Sequence, residues 1–404
     1  MPETLAILVG GGPAPGINGV IAAATREAER NGRRVIGVQE GYRYLALGDP
    51  SHAHELTSDD VEGIERRGGS VLGTSRTNPS KDEQTLANCV TTLEALGVKY
   101  LVTIGGDDTT SGARRISEET RGKISVAAVP KTIDNDLPLP EGIPTFGYET
   151  ARSVGAGIVS TLVEDARTTG SRWYVAVTMG RSSGALTLGI AAASGATRAL
   201  IPESYLGREI RMAEIVDTIV GSILKRRSQG RHSGVVLVAE GMAELLASDL
   251  ATSGSVGRDA YGNVLLADLP LGMMLADAIN KRLLEFGVSM SIVAKDIGYE
   301  LRCAPPVAFD IEYARALGYG AVRYLLGGGS GALISYQGGK IMPLAFDDLR
   351  DPKTQRIRTR IVDITSDNYQ IAQAFSTRLD EDNHSHQALS AMARDSGGTF
   401  TRPA

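Results

Sequence analysis

The runs Ile104-Gly105-Gly106-Asp107-Asp108-Thr109 and Pro130-Lys131-Thr132-Ile133-Asp134-Asn135-Asp136 decide the reading of this chain. Each follows a β-like apolar segment, Tyr100–Ile104 in the first case and Ile124–Val129 in the second. In a parallel α/β sheet both runs leave the same carboxyl edge, where such sheets place their ligands. Glycines, several acids and one lysine then converge. That set suits a polyphosphate carrying a divalent metal. Glycines let backbone N–H groups approach phosphate oxygens, carboxylates hold Mg2+ through oxygen, and the lysine offsets anionic charge.

The same alternation extends outward. Leu5–Val9 reads as a strand, Ile17–Arg30 as a helix closed by Gly32, Arg34–Val38 as a second strand and Asp82–Leu96 as a helix closed by Gly97. A helix over Ser111–Thr120 separates the two quoted runs. Such βα alternation predicts a parallel sheet covered on both faces. Pro138, Pro140 and Pro144 with Gly142 mark a first domain boundary, because prolines are excluded from central strands and bias their neighbours away from helix. A second α/β set follows, with strands Trp173–Thr178, Ala199–Ile201 and Gly234–Ala239 and helices Ile210–Arg227 and Leu271–Phe286. Ala251–Asp268 reads as an exposed loop, Pro305-Pro306 as a return crossing and Gln337-Gly338-Gly339 as the tip of a hairpin.

A chain of 404 residues exceeds the usual single-domain size, so two α/β domains are expected. Its 48 glycines against a single tryptophan fit an enzyme with many βα turns and not a stacking platform for nucleic acid. With 42 basic and 47 acidic residues the net charge is −5, so local arginines must bind any phosphate. Cys89 and Cys303 are too few for a disulfide framework or a zinc cluster, which points to a reducing compartment. The chain opens without a basic and apolar leader pattern and holds no run of about eighteen apolar residues. A soluble cytoplasmic protein with no membrane partner is expected.

Gly10-Gly11-Gly12-Pro13-Ala14-Pro15-Gly16 departs from the common nucleotide loops. The dinucleotide fingerprint needs a glycine where Pro15 stands, which disfavours a dehydrogenase, and the P-loop spacing from Gly11 to Gly16 is followed by Ile17-Asn18. Taken alone, the loop is either a rigid turn or a phosphate contact.

Seven ordered motifs carry a resemblance. They are GGGPAPGIN at Gly10–Asn18, LGTSR at Leu72–Arg76, GGDDT, PKTIDND, MGRSSG at Met179–Gly184, VAEG at Val238–Gly241 and GYELR at Gly298–Arg302. Over roughly residues 1–335 the chain resembles the phosphofructokinase family, and Asp108 with Lys131 resembles its pyrophosphate-using branch. The resemblance implies an α/β fold of two Rossmann-like domains, with largely parallel sheets covered by helices and an active site in the cleft between them. Residues 1–146 plus about 305–350 would bind the phosphate donor and Mg2+, residues 147–304 the sugar phosphate, and 351–404 would form a C-terminal extension.

The resemblance also implies roles. Gly12 and Arg76 approach the donor phosphates, Asp107 binds Mg2+, and Asp134 is the general base that takes the proton of the sugar 1-hydroxyl. Thr132 and Ile133 flank that base at the sugar. Met179 and Gly180 shape the sugar site, Arg181 neutralises phosphoryl oxygens and Glu240 accepts hydrogen bonds from sugar hydroxyls. Tyr299 and Arg302 resemble the sensors of the distal 6-phosphate. Arg172 matches an arginine that reaches a neighbouring subunit's site in relatives, which implies a homodimer or homotetramer. Lys131 would stand near the departing phosphate, while Asp108 would fill and charge the room that an ATP α-phosphate needs. For Asp107 the alternative is a helix cap, and Asp136 is either a turn residue or a metal contact.

The implied activity is that of a phosphotransferase: reversible, Mg2+-dependent transfer from pyrophosphate to the 1-hydroxyl of D-fructose 6-phosphate in glycolysis and gluconeogenesis. An ATP-dependent kinase of the same sugar phosphate is the nearest alternative, and a non-catalytic sensing subunit a more distant one.

Overall fold

Residues 2–247, 249, 269–379 and 386–394 are described by the computed structural model. The chain divides into two units, Met1–Ala151 with Tyr299–Arg360 and Arg152–Gly298 with Ile361–Ala404. In the first, strands β1 (Thr4–Val9), β2 (Arg34–Val38), β3 (Ala53–Glu55), β4 (Val98–Gly105), β5 (Ser125–Pro130), β10 (Ala332–Gln337) and β11 (Lys340–Ala345) form one sheet in the order β11-β10-β5-β4-β1-β2-β3. The five inner strands are parallel and the two edges, β3 and β11, antiparallel.

Alternation along the strands explains the layers. Leu5, Ile7 and Val9 of β1 join a buried cluster with Ile17 and Ile21 of helix Ile17–Arg30 and Leu317 of helix Ala308–Leu326. Ala6 and Leu8 join a second cluster with Leu86, Leu93 and Ile116. Each fully buried leucine or isoleucine contributes roughly 1.5–3 kcal/mol, so the sheet is anchored from both faces. The strand order reverses between β1 and β4, and that switch point is where parallel sheets bind ligands. The loops that leave β1, β4 and β5 carry Gly10–Gly12, Gly106–Asp108 and Lys131–Asp136.

The second unit holds β6 (Arg172–Thr178), β7 (Arg198–Leu200), β8 (Gly234–Ala239) and β9 (Ser291–Ile297), all parallel, in the order β7-β8-β6-β9. Trp173, Val175, Val236 and Val238 pack with Ile215 and Ile219 of helix Met212–Ser228 and Leu275 and Ile279 of helix Leu271–Glu285.

Several expected boundaries move. Pro138, Pro140 and Pro144 stay within the first unit, and the division falls between Ala151 and Arg152, inside the continuous helix Tyr148–Thr169. The helix runs straight through that point, so no turn or proline marks the division. The chain returns to the first unit at Tyr299, ahead of Pro305, and residues 351–404 are not one extension. Those up to Arg360 complete the first unit, and the described ones from Ile361 join the second. The loop expected over Ala251–Asp268 lies outside the described residues.

Candidate active site

Helix Asp107–Glu119 begins at Asp107 instead of Ser111 because Gly106, extended at φ −83° and ψ −157°, supplies its cap without a side-chain bond. Asp107 is therefore not the cap. Both acids occupy the first turn, where unsatisfied N–H groups and the helix dipole favour anions. Asp108 Oδ1 accepts from Asn78 Nδ2 at 2.8 Å, and its other oxygen lies 4.0 Å from Lys81 Nζ. Asp107 instead faces Asp136, whose carboxyl is raised above the usual range by burial and then by Asp107, against the pull of Thr132 and Lys131.

Lys131 continues the β4–β5 ladder by donating its N–H to the Gly105 carbonyl at 3.0 Å. Its Nζ donates to the Gly12 carbonyl at 2.6 Å, and only 4% of the residue is exposed. Burial pushes the ammonium down to about 8, Arg302 adds to that fall, and Asp134, Asp136 and Asp107 oppose it. One desolvated cation thus tethers the first glycine loop to the acidic run. Its charge faces carboxylates from both β4 and β5, with Asp108 absent from that set.

The glycine loop follows β1 closely, with Gly10 N–H donating to the Ile104 carbonyl at 2.9 Å and Gly11 N–H to Ser75 at 2.7 Å. A Cβ at Gly10 would stand 2.4 Å from Thr109 Oγ1, so only glycine allows the helix start to approach. At Gly12 a Cβ would stand 2.0 Å from Arg302 Nη2. Arg302 and Tyr299 accordingly belong to the first unit, with the Arg302 guanidinium 5.4 Å from the Tyr299 ring centre. The motif resemblance places both with residues 147–304, and the fold places them in the first unit instead. Arg76 is exposed, next to the Ser75 carbonyl that receives Gly11.

The loop after Lys131 is bonded along its length. Asp134 N–H donates to Thr132 Oγ1 at 3.1 Å, and Thr145 Oγ1 donates to the Thr132 carbonyl at 2.7 Å. Ile133 is buried between them in sequence. Asn135 adopts φ 56°, and its side-chain oxygen accepts from Thr145 N–H at 3.0 Å. Arg360 then closes the loop. Its Nε donates to the Asn135 carbonyl at 3.0 Å, Nη1 to the Ile143 carbonyl at 2.8 Å and Nη2 to Asn135 Oδ1, while its backbone N–H donates to the Asp136 carbonyl at 2.7 Å. Nothing in the sequence signals this residue, because its partners precede it by more than two hundred positions. Asn78 and Thr145 carry no motif of their own either, although their partners lie only 30 and 10 to 13 positions away.

In the second unit, Met179 N–H donates to Ile297 at 3.0 Å, Glu240 N–H to Thr178 at 2.9 Å, and Gly241 N–H to Gly180 at 3.2 Å. The ends of β6, β8 and β9 therefore present Met179, Gly180, Arg181 and Glu240 together. Gly180 N–H lies 3.4 Å from Glu240 Oε2, and the exposed Arg181 guanidinium pairs with Glu244. Arg172 stands at the other end of β6, held at 2.9 Å by Asp165, which also accepts from Tyr174 at 2.6 Å. At about 3.3 Å per residue, the six steps of the strand from Arg172 to Thr178 span about 20 Å, so Arg172 lies at the end of β6 away from the turn that carries Arg181.

Chemically, the first unit offers a glycine turn, a tethered lysine and a carboxylate pair. Asp107 and Asp136 are the oxygen donors able to share a divalent cation, since the mutual repulsion that raises Asp136 is what a cation relieves. Among the described residues no group of three or more acidic, histidine or cysteine side chains stands ready for a metal.

Residues 4–325 match the family profile described as phosphofructokinase. A Naegleria fowleri protein described as pyrophosphate–fructose 6-phosphate 1-phosphotransferase is 47% identical over 401 residues, covering 96% of this chain and 92% of that one. A Thermotoga maritima protein of the same description is 48% identical over 387 residues, 94% of this chain and 92% of its own. Among solved structures, a phosphofructokinase from Saccharomyces cerevisiae is similar with a TM-score of 0.67 and 25% identity, covering 86% of this chain and 44% of that one. Its two parallel-sheet units, the ordered glycine and acidic loops and the match over most of its length make this chain a member of the phosphofructokinase family.

Proposed function

We propose that the protein is a phosphotransferase which moves a phosphoryl group reversibly between pyrophosphate and the 1-hydroxyl of D-fructose 6-phosphate. The observation that carries this reading is Lys131, a buried ammonium bonded to the Gly12 carbonyl and surrounded by Asp107, Asp134 and Asp136. A short, highly charged donor suits it. Gly12, Arg76 and Lys131 hold the donor phosphates, and Asp134 takes the proton of the sugar 1-hydroxyl as that oxygen attacks phosphorus. Transfer of this kind rests on positioning and electrostatics, so the gain comes from holding the attacking oxygen in line while Lys131 and Arg181 meet the spreading charge. Mg2+, held by Asp107 with Asp136 beside it, would neutralise oxygens of the donor when bound.

On the sugar side, Arg181, Gly180, Met179 and Glu240 orient the hydroxyls with Thr132 and Ile133. Tyr299 and Arg302 serve the 6-phosphate, with Arg302 resting against Gly12 in the free chain. Asp108 limits the donor to pyrophosphate, its carboxylate held outward by Asn78 and near Lys81. The place of Arg172 at the far end of β6 supports its use by a second copy, in a homodimer or homotetramer. Cys89 and Cys303 are free thiols, in keeping with the cytoplasm, and no described helix is long and apolar enough to cross a membrane. Phosphorus NMR of fructose 6-phosphate, pyrophosphate and Mg2+ tests the reaction. Fructose 1,6-bisphosphate and phosphate should appear in equal amounts, and an unchanged spectrum would refute the reading.

A further inference from the structure

The second unit contains a cavity of about 1000 Å³ beyond its edge strand β7, and none of Met179, Gly180, Arg181 or Glu240 is among the described residues that line it. Its wall is formed by residues 198–218 and by helix Asp367–Ala374 with the segment that follows. Four arginines face it: Arg198, Arg208, Arg211 and Arg378. Local carboxylates do not balance them. Glu214 is taken by Arg208 at 2.6 Å, and Asp217 accepts from Arg282 at 2.7 Å. Glu209 is exposed on the rim.

Arg198 and Arg378 are left without an acidic partner among the described residues. Arg198 reaches only a neutral hydroxyl, Ser222 Oγ at 3.1 Å, and its Nε is buried with no hydrogen-bond partner. Arg378 reaches a neutral amide, Gln373 Oε1 at 3.3 Å. Burial depresses the Arg198 guanidinium, and Arg378 depresses it further, so the two cations are close enough to repel. A buried donor without a partner costs about 1–3 kcal/mol, and more when charged. A buried donor of this kind calls for a partner, which an ordered water, an ion or a ligand can supply. Hydroxyls complete the lining, with Ser204 Oγ 2.8 Å from Tyr369 OH.

We propose that this cavity is an anion-binding site for a small phosphorylated molecule, a phosphate ester or short polyphosphate, gripped by the guanidinium groups of Arg198 and Arg378. The planar fork of each arginine matches two phosphate oxygens. The volume exceeds the needs of a lone phosphate ion and accommodates a drug-sized ligand. Arg211 and Tyr369 supply further donors at the wall.

Calorimetric titration with inorganic tripolyphosphate, without divalent metal, tests the assignment in the full-length Lys131→Met protein, whose donor loop is weakened. One binding event should remain there. Adding Arg198→Met and Arg378→Met should weaken it by about 10²-fold, as expected for two lost charge-assisted contacts. The same pair of changes in an otherwise wild-type chain should leave phosphoryl transfer intact and its ligand-free melting temperature equal or higher, because it removes mutually repelling cations. Arg378→Glu, a change at an exposed position, should also abolish the event and does not depend on the buried site tolerating Met. Unchanged titration in these variants, or a ligand-free protein that melts lower without its arginines, would overturn the site. Neither readout requires turnover, so its failure is separable from that of the proposed reaction.

Discussion

Arg360 grips Asn135 at two points, donating through Nε to its carbonyl at 3.0 Å and through Nη2 to its side-chain oxygen. Asn135 sits at φ 56° between the proposed base and the carboxylate that faces Asp107. A residue from the end of the first unit thus fixes the turn that aims both groups. Arg360→Met should lower kcat by roughly 10–100-fold, the usual effect of losing a partner that orients a functional side chain, with little change in KM for the sugar phosphate. Arg360→Lys should not rescue it, because one ammonium lacks the fork that reaches Asn135 and Ile143 together. Equal losses in kcat and thermal stability with full rescue by lysine would reduce Arg360 to a packing residue.

Lys131 gives a pH signature. Its ammonium is held down at about 8 from an ordinary 10.5, so it loses its proton as pH rises through about 8, and kcat/KM should fall above that point. Stability should move the other way. Between about 8 and 10.5 the unfolded chain binds the extra proton, so this group makes stability rise with pH over that window. In Lys131→Met both trends should vanish, and kcat should drop on the order of 10²–10³. Parallel pH profiles for wild type and variant would place the titration elsewhere.

Asp134→Ser should remove roughly 10²–10⁴ of turnover while fructose 6-phosphate still binds, as for loss of a general base. Binding by calorimetry alongside kcat separates the two quantities. Retention of wild-type turnover would remove Asp134 from that role.

Asp107→Ala should raise the Mg2+ concentration needed for half-maximal rate, and should lower the raised carboxyl of Asp136 toward the ordinary range, since burial and Asp107 are what lift it. Carbonyl NMR of labelled aspartate reads the second effect without turnover. An unmoved Asp136 titration would contradict the facing of these two side chains.

Asp108→Gly should admit ATP while weakening use of pyrophosphate, because it removes charge and bulk from the helix start where Asn78 now holds the carboxylate at 2.8 Å. Competition between the two donors measures the change in their kcat/KM ratio. A ratio unaffected by the substitution would free Asp108 from donor choice.

Much of this was legible in the residues. Helix Ile17–Arg30 and strand Gly234–Ala239 lie where apolar periodicity and a following glycine or acid locate them. The glycine-acid runs also announced which sheet edge carries the chemistry. Local signals failed where long-range contacts decide. The prolines after Asp136 imitate a domain boundary, yet Arg360 ties that loop to the first unit through the Asn135 and Ile143 carbonyls. From sequence the helix is expected over Ser111–Thr120, whereas Gly106 caps it at Asp107 and places both acids in a first turn that favours them. The motif that carries Arg302 points to the sugar phosphate, and only the folded chain brings its guanidinium close to Gly12.

The most direct measurement is the initial rate with fructose 6-phosphate and Mg2+ when pyrophosphate or ATP is the sole donor. Pyrophosphate should support turnover with a kcat/KM well above that of ATP, and fructose 1,6-bisphosphate with phosphate should regenerate pyrophosphate in the same protein. A clear preference for ATP, or no transfer from pyrophosphate in either direction, would contradict the reading of Lys131 and Asp108 as the groups that choose the donor.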